Sequence, residues 1–162
     1  MRQLFILSFL TLVSCNMNNT NTFETIKPIK QDPNEINSIK KILTSQQDYW
    51  NNGDINGFMQ GYWNSEELIF TSLKYEPAYG WKNTLDRYKE SYPTKSSMGE
   101  LKFEKLDIKL ISQTSATASG KWGLIREKDN PNGLFYLDLK KFDKSWLITK
   151  DSTVSFDLNI PL

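Results

Sequence analysis

The amino-acid sequence predicts an α+β domain in which about three helices come first and an antiparallel β-sheet follows. Apolar residues recur at helical spacing between residues 36 and 92, and they alternate with polar residues over most of the chain after Pro93. Turn residues such as Asn, Asp and Gly separate the alternating runs. We therefore expect helices packed on one face of a curved sheet. With 162 residues the chain has room for one such domain and not for two of ordinary size.

The first helix is expected to begin at Pro33. Asp32 places a capping carboxylate directly before it, and proline is favoured at the first helical position. Gly53 then ends the helix. One helical stripe carries the apolar side chains that would face the sheet, namely Ile36, Ile39, Leu43 and Trp50.

Two shorter helices are expected next. Asp54 can cap one that runs through Phe58 and Tyr62. The other begins near Trp81 and is closed by Pro93. Its apolar positions, Leu85, Tyr88 and Tyr92, are spaced by three and four residues.

The whole stretch after Pro93 is interpreted as strands, and a short earlier strand is expected over residues 68–73. Apolar alternation over residues 101–110 slips by one position, which predicts a β-bulge near Glu104 and Lys105. Further alternating runs cover residues 116–124 and 135–139, and the last strand begins at Trp146. Turns are expected at residues 130–133 and 143–145.

The first 14 residues are interpreted as a signal peptide. Arg2 precedes an apolar run over residues 4–13, which is too short to span a bilayer because a helix of that length reaches only about 15 Å. The run ends in Leu12-Val13-Ser14-Cys15, which resembles the lipobox of bacterial lipoproteins. This resemblance implies lipidation of Cys15 and a protein anchored to a membrane of the cell envelope, in the periplasm or at the outer membrane. The alternative is an ordinary secretory leader with an incidental cysteine.

Residues 15–31 are expected to form a flexible tether between the lipidated Cys15 and the domain. They are rich in Asn, Thr and Lys and carry isolated apolar residues without periodicity. The alternative is an ordered arm that packs on the domain through Phe23 or Ile26. The domain itself is assigned to residues 32–157.

The composition excludes several kinds of chemistry. The chain contains no histidine and one cysteine, so it can form neither a Ser-His-Asp or Cys-His catalytic group nor a histidine-ligated metal site. Its 20 basic and 19 acidic residues nearly cancel, which gives no electrostatic basis for binding nucleic acid. The acidic residues lack calcium-loop spacing. We therefore expect no metal and no cofactor.

Three stretches, in this order, resemble the nuclear-transport-factor-two-like superfamily, particularly its SnoaL-like and ketosteroid-isomerase-like bacterial branch. They are the run from Asp48 to Asp54, the pair Gly80-Trp81, and residues 146–153. The resemblance implies a cone-shaped fold in which a strongly bent antiparallel sheet wraps around the helices and leaves a pocket at its wide end. It also implies homodimers formed through the outer face of the sheet.

One departure from that resemblance concerns the last strand, where many close relatives have a histidine. If Trp146 and Ile148 point into the cone, strict alternation places Ser152 at the position of that histidine. A serine hydroxyl can orient a ligand there, but it cannot carry a proton near pH 7.

The predicted pocket would suit a flat apolar or aromatic ligand with one acidic or carbonyl group. Arg126 is expected at its rim, and the alternative for each ring is ordinary core packing. The residues expected to line it are Tyr62, Phe70, Trp81, Tyr88, Trp122 and Ser152.

Two functions are open at this stage. The leading hypothesis is a non-catalytic module that binds a small apolar ligand or another protein. The alternative is an enzyme similar to ketosteroid isomerases and polyketide cyclases, in which Tyr62 or Tyr88 acts with a buried acid. That acid has no clear candidate, because Asp54 is expected to cap a helix and strict alternation turns Asp138 and Asp151 away from the pocket.

Overall fold

The computed structural model describes residues 28–73 and 75–156. The predicted signal peptide, Cys15, Phe23 and Ile26 lie outside the described residues. Within the described ranges, no helix is long and apolar enough to cross a membrane.

Four helices form the first part of the domain: α1 (Pro33–Asn51), α2 (Ile55–Phe58), α3 (Trp81–Ser91) and α4 (Lys95–Met98). The predicted caps are confirmed, because Asp32 accepts a hydrogen bond from the backbone of Asn34 and Asp54 accepts one from Gly57 at 2.8 Å. A 3₁₀ turn at Met59–Gly61 continues α2. Helix α4 contradicts the expectation that only strands follow Pro93. Thr94 and Ser97 form a capping box that starts it.

The sheet has six strands: β1 (Ile69–Ser72), β2 (Ala78–Tyr79), β3 (Glu100–Leu110), β4 (Ser115–Ile125), β5 (Asn132–Phe142) and β6 (Ser145–Ser155). Their order is β2-β1-β6-β5-β4-β3, and the sheet is curved and unclosed. The four long strands form an antiparallel meander, as predicted. The prediction of a wholly antiparallel sheet is corrected at β1, which pairs parallel to β6.

Two bulges interrupt the long strands. The predicted one in β3 is confirmed, since the register shifts between Glu104 and Asp107 and Lys105 has a φ of 52°. The other lies in β6 at Thr149, between the pairs Leu139–Ile148 and Asp138–Lys150, and it was not predicted. Because an extra residue reverses the two faces of a strand, every side chain of β6 after Thr149 lies on the opposite face from the one expected.

Amide side chains of α1 tie this helix to the outer edge of the sheet. Asn51 accepts from the backbone N–H of Leu101 at 2.7 Å and donates to its carbonyl at 3.1 Å. Gln47 accepts from the N–H of Phe103 at 2.9 Å. Backbone groups of the edge strand β3 are thus paired with a helix, which closes that side of the domain around its interior.

The end of the predicted tether is attached to the same strand. Gln31 accepts from the backbone N–H of Leu110 at 2.9 Å and donates to its carbonyl at 3.0 Å. Gln31, the last residue of the predicted tether, is therefore hydrogen bonded to the sheet.

The core fills the space between the helices and the inner face of the sheet. Trp146 and Ile148 both lie in it, as predicted. Glu35 accepts from the indole N–H of Trp146 at 2.7 Å and from the ammonium group of Lys141 at 2.6 Å. These charge-assisted bonds hold the first turn of α1 against the β5–β6 hairpin.

Candidate functional site

A cavity of about 350 Å³ lies between α1, α3 and the inner face of the sheet. Five of the residues predicted for a pocket line it, namely Tyr62, Phe70, Tyr88, Trp122 and Arg126. Aromatic and aliphatic side chains make up much of the remaining wall. Within residues 28–73 and 75–156, no cluster of acidic or cysteine side chains is placed to hold a metal ion.

Trp81 and Ser152, also predicted to line the pocket, are not among the lining residues. The indole N–H of Trp81 donates to the carbonyl of Met59 at 3.0 Å, and the half-buried ring packs on the core. The hydroxyl of Ser152 accepts from that of Thr71 at 3.0 Å. The prediction for Ser152 fails because the Thr149 bulge turns this residue to the outer face of the sheet.

The same bulge turns Asp151 into the cavity. Its side chain is only 4% exposed, so the interpretation of Asp151 as a surface carboxylate is wrong. The hydroxyl of Tyr62 donates to Oδ2 at 2.7 Å, and that of Thr153 donates to Oδ1 at 2.9 Å. Asp138 is exposed, as predicted. Asp151 is therefore the buried acid that sequence reasoning did not place.

The two tyrosines predicted for the site lie side by side at this carboxyl group. Their hydroxyl oxygens are 3.4 Å apart. Because Tyr62 has one hydroxyl proton and gives it to Asp151, Tyr88 acts as donor toward Tyr62. Burial, and then the charge of Asp151, raise the pKa of both tyrosines well above 10. Both phenols therefore stay protonated and serve as hydrogen-bond donors.

The tyrosine that positions this group is held by the backbone. The 3₁₀ turn ends at Tyr62, which forms a parallel bridge with Ile148 of β6. The following N–H, that of Trp63, donates to the carbonyl of Ile148 at 2.9 Å. The segment that carries Tyr62 is therefore hydrogen bonded to β6 directly before the Thr149 bulge, and Asp151 follows that bulge in the same strand.

The surroundings of Asp151 control its protonation. Burial raises the pKa of its carboxyl group to about 6, while hydrogen bonds from Tyr62 and Thr153 partly oppose that rise. Near neutral pH this group therefore exists in both protonation states in accessible proportions. It can accept or release a proton in a setting from which bulk water is largely excluded.

Arg126 lies at the rim, and its charge is already paired. Its guanidinium forms two bonds with the carboxylate of Asp129, at 2.6 and 2.7 Å. A third bond, to the carbonyl of Ser97, measures 3.0 Å. This bidentate arrangement neutralises Arg126 and fixes it in place.

Arg87 of α3 also lines the cavity, although no sequence pattern singled it out. Its Nη1 donates to the carbonyl of Glu76 at 2.6 Å, and its guanidinium lies 5.9 Å from the ring centre of Phe70. Helical spacing alone could not place Arg87 at the cavity. Its position there depends on Phe70, which belongs to β1.

One polar atom of the cavity wall has no hydrogen-bond partner. The indole Nε1 of Trp122 is buried, and it is the only such side-chain atom among the described residues. An unpaired buried donor costs about 1–3 kcal/mol of stability.

Comparison with solved structures identifies similar folds. An NTF-2-like protein of unknown function from Shewanella oneidensis MR-1 is 41% identical, with a TM-score of 0.70 over 74% of this chain and 98% of that one. A ketosteroid-isomerase-like protein from Erwinia carotovora atroseptica is 13% identical, with a TM-score of 0.65 over 78% and 99%. A putative scytalone dehydratase from Novosphingobium aromaticivorans is 13% identical, with a TM-score of 0.59 over 78% and 89%. No family model and no curated protein sequence matches the chain.

The raised pKa of Asp151 makes a prediction about stability. Between its ordinary value of 3.8 and about 6, the folded state binds this proton more tightly than the unfolded state does. The contribution of Asp151 to the free energy of unfolding is therefore greatest at low pH. It falls by about 3 kcal/mol in total as the pH rises through about 6. Asp151→Asn removes the titration. The free energy of unfolding of the variant, relative to wild type, should therefore increase between pH 4 and pH 7 in urea denaturation.

Asp138→Asn, at an exposed position on the neighbouring strand, is the matched control and should show a flat difference over the same range. If the free energy of unfolding of Asp151→Asn relative to wild type did not change with pH, or increased toward acid pH, the result would contradict the burial of an ionisable carboxyl group at this position.

Proposed function

Because the chain belongs to the nuclear-transport-factor-two-like family, we propose that its cavity binds a small, largely apolar molecule whose polar group meets Asp151. The observation that carries this proposal is a carboxyl group that is buried from bulk solvent and lines a cavity with many aromatic side chains. A volume of about 350 Å³ falls in the range of small-molecule sites. Rings supply the apolar contact, and a few convergent polar groups would fix orientation.

The carboxyl group has capacity left for a ligand. Each of its oxygens accepts one hydrogen bond, from Tyr62 or from Thr153, and each has a second acceptor position. A hydroxyl or N–H group of a ligand can use these positions. Protonated Asp151 can instead donate to a carbonyl oxygen.

Binding can be measured by intrinsic fluorescence, since Trp50 and Trp122 line the cavity. In a screen of flat apolar compounds, we expect ligands that change this fluorescence with saturation. Ser155→Phe, at a lining position, should fill the space and weaken binding at least tenfold. Ser119→Phe places the same ring on the outer face of the sheet and should leave affinity unchanged. Equal affinities in the two variants would remove the cavity as the binding site.

The state of Asp151 favours a second candidate, an enzyme that moves a proton on its bound substrate. A carboxyl group with a pKa of about 6 in an apolar site is suited to abstract a proton from carbon next to a carbonyl group. Both tyrosines remain protonated. Tyr88, whose hydroxyl oxygen lies a long 3.4 Å from that of Tyr62, can turn its proton toward the substrate oxygen on which negative charge develops. The fold similarity to proteins named ketosteroid-isomerase-like and scytalone dehydratase is compatible with such chemistry.

Deuterium exchange separates the two candidates without a known product. A carbonyl-containing ligand from the screen is incubated with the protein in D₂O, and deuterium on carbon is followed by mass spectrometry. The enzyme predicts uptake that Asp151→Asn reduces at least 100-fold while the ligand still binds. Tyr62→Phe should lower the rate by a smaller factor. Saturable binding without uptake in the wild-type protein supports the non-catalytic module.

We further propose that the protein acts at a membrane surface of the cell envelope, held by lipid on Cys15. The apolar run before Cys15 supports this, and the tether would let the domain stand clear of the headgroups. Expressed in bacteria with labelled palmitate, the wild-type chain should incorporate label and fractionate with membranes. Cys15→Ser should do neither, whereas Ser14→Ala should retain both properties. Labelling of Cys15→Ser would show that the lipid is attached elsewhere, and a wild-type chain without label would show that it is absent.

A further inference from the structure

We propose that the ligand of this cavity carries a carboxylate, and that Arg87 binds it at the outer part of the wall. This inference rests on the proposed function, because it names the class of molecule that the same cavity takes. The expected ligand is an amphipathic monoacid. Its apolar body lies among the rings, and its opposite end reaches Asp151.

The charges of the wall lead to this assignment. Among the described residues, four charged side chains line the cavity: Arg87, Arg126, Asp129 and Asp151. Arg126 and Asp129 neutralise each other through two short bonds. Arg87 has no carboxylate oxygen of residues 28–73 or 75–156 within 4.0 Å of its guanidinium. The cavity therefore keeps one cation available for a ligand.

Arg87 and Asp151 occupy different depths of one continuous wall. Asp151 is 4% exposed and contacts Tyr62, whose hydroxyl meets that of Tyr88. The ring of Tyr88 lies 5.6 Å from that of Phe70, and Phe70 lies beneath the guanidinium of Arg87. A ligand that lies along these rings has the carboxyl group of Asp151 beside its inner end and the guanidinium of Arg87 beside its outer end.

The hydrogen bond that Arg87 already makes prepares it for this role. Its Nη1 donates to the carbonyl of Glu76, which fixes the planar fork without neutralising it. The other N–H groups can meet both oxygens of a carboxylate, the geometry that guanidinium favours. A doubly charged phosphate would need more than one unpaired cation, and the described wall has only this one.

The test compares acids with their neutral isosteres. Isothermal titration calorimetry on the full-length protein uses three pairs of probes: octanoate and octanamide, cinnamate and cinnamamide, 2-naphthoate and 2-naphthamide. We expect at least one acid to bind about tenfold or more tightly than its amide at pH 7.5, with a preference that weakens in high salt. Arg87→Gln should abolish the preference, because the affinity for the acid falls to that for its amide. Lys82→Gln removes a charge from the exposed face of the same helix and should retain the preference.

Each outcome decides the question. Equal affinities of acid and amide in the wild-type protein, or a preference that survives Arg87→Gln, would overturn the assignment of Arg87 while the apolar binding site remains. Binding of the amides without binding of the acids would also overturn the assignment of Arg87. If no member of any pair binds, while other apolar compounds still change the fluorescence of Trp50 and Trp122, the carboxylate inference fails alone. If no apolar compound of any class binds, the proposed function fails with it. The comparison within wild type does not depend on the folding of any variant.

Discussion

A carboxyl group enclosed by aromatic rings must have hydrogen-bond donors beside it, and this requirement explains much of the arrangement around Asp151. The bulge at Thr149 turns the group inward, and the 3₁₀ turn after α2 brings Tyr62 to it. Helix α3 supplies Tyr88 as a donor to Tyr62. Three segments that are distant in sequence thus form one chain of hydrogen bonds that ends at a carboxyl oxygen of Asp151. Their joint position determines where the cavity has its polar end.

The cavity keeps features that a stable core would not retain. A carboxyl group with a raised pKa, an indole with an unpaired N–H and a cation without a carboxylate belong to residues that line the same space. The buried carboxyl group and the unpaired N–H each lower the stability of the folded protein. Their concentration in one place is typical of sites in which function has been favoured over stability.

Elements marked by a local chemical signal could be predicted from sequence. Asp32 and Asp54 revealed helix starts, and the slip of apolar residues in β3 revealed its bulge. The bulge in β6 was not predicted, because residues 149–152 are all polar and no apolar side chain marks a change of phase there. One clue was available. Strict alternation placed Lys150 on the inner face, where an unpaired ammonium group would be costly, and an extra residue at Thr149 avoids that cost. Arg87 could not be recognised, because its role depends on a strand that approaches from elsewhere in the chain.

The amide side chains along β3 also bear on how this protein meets copies of itself. An edge strand with open backbone groups is a template for strand addition and for aggregation between molecules. Asn51, Gln47 and Gln31 occupy such groups on β3, and the opposite edge of the sheet, β2, is only two residues long. Neighbouring copies would therefore find little open strand edge to extend. The outer face of the sheet, in contrast, keeps a large aromatic side chain accessible, since Tyr136 is 53% exposed.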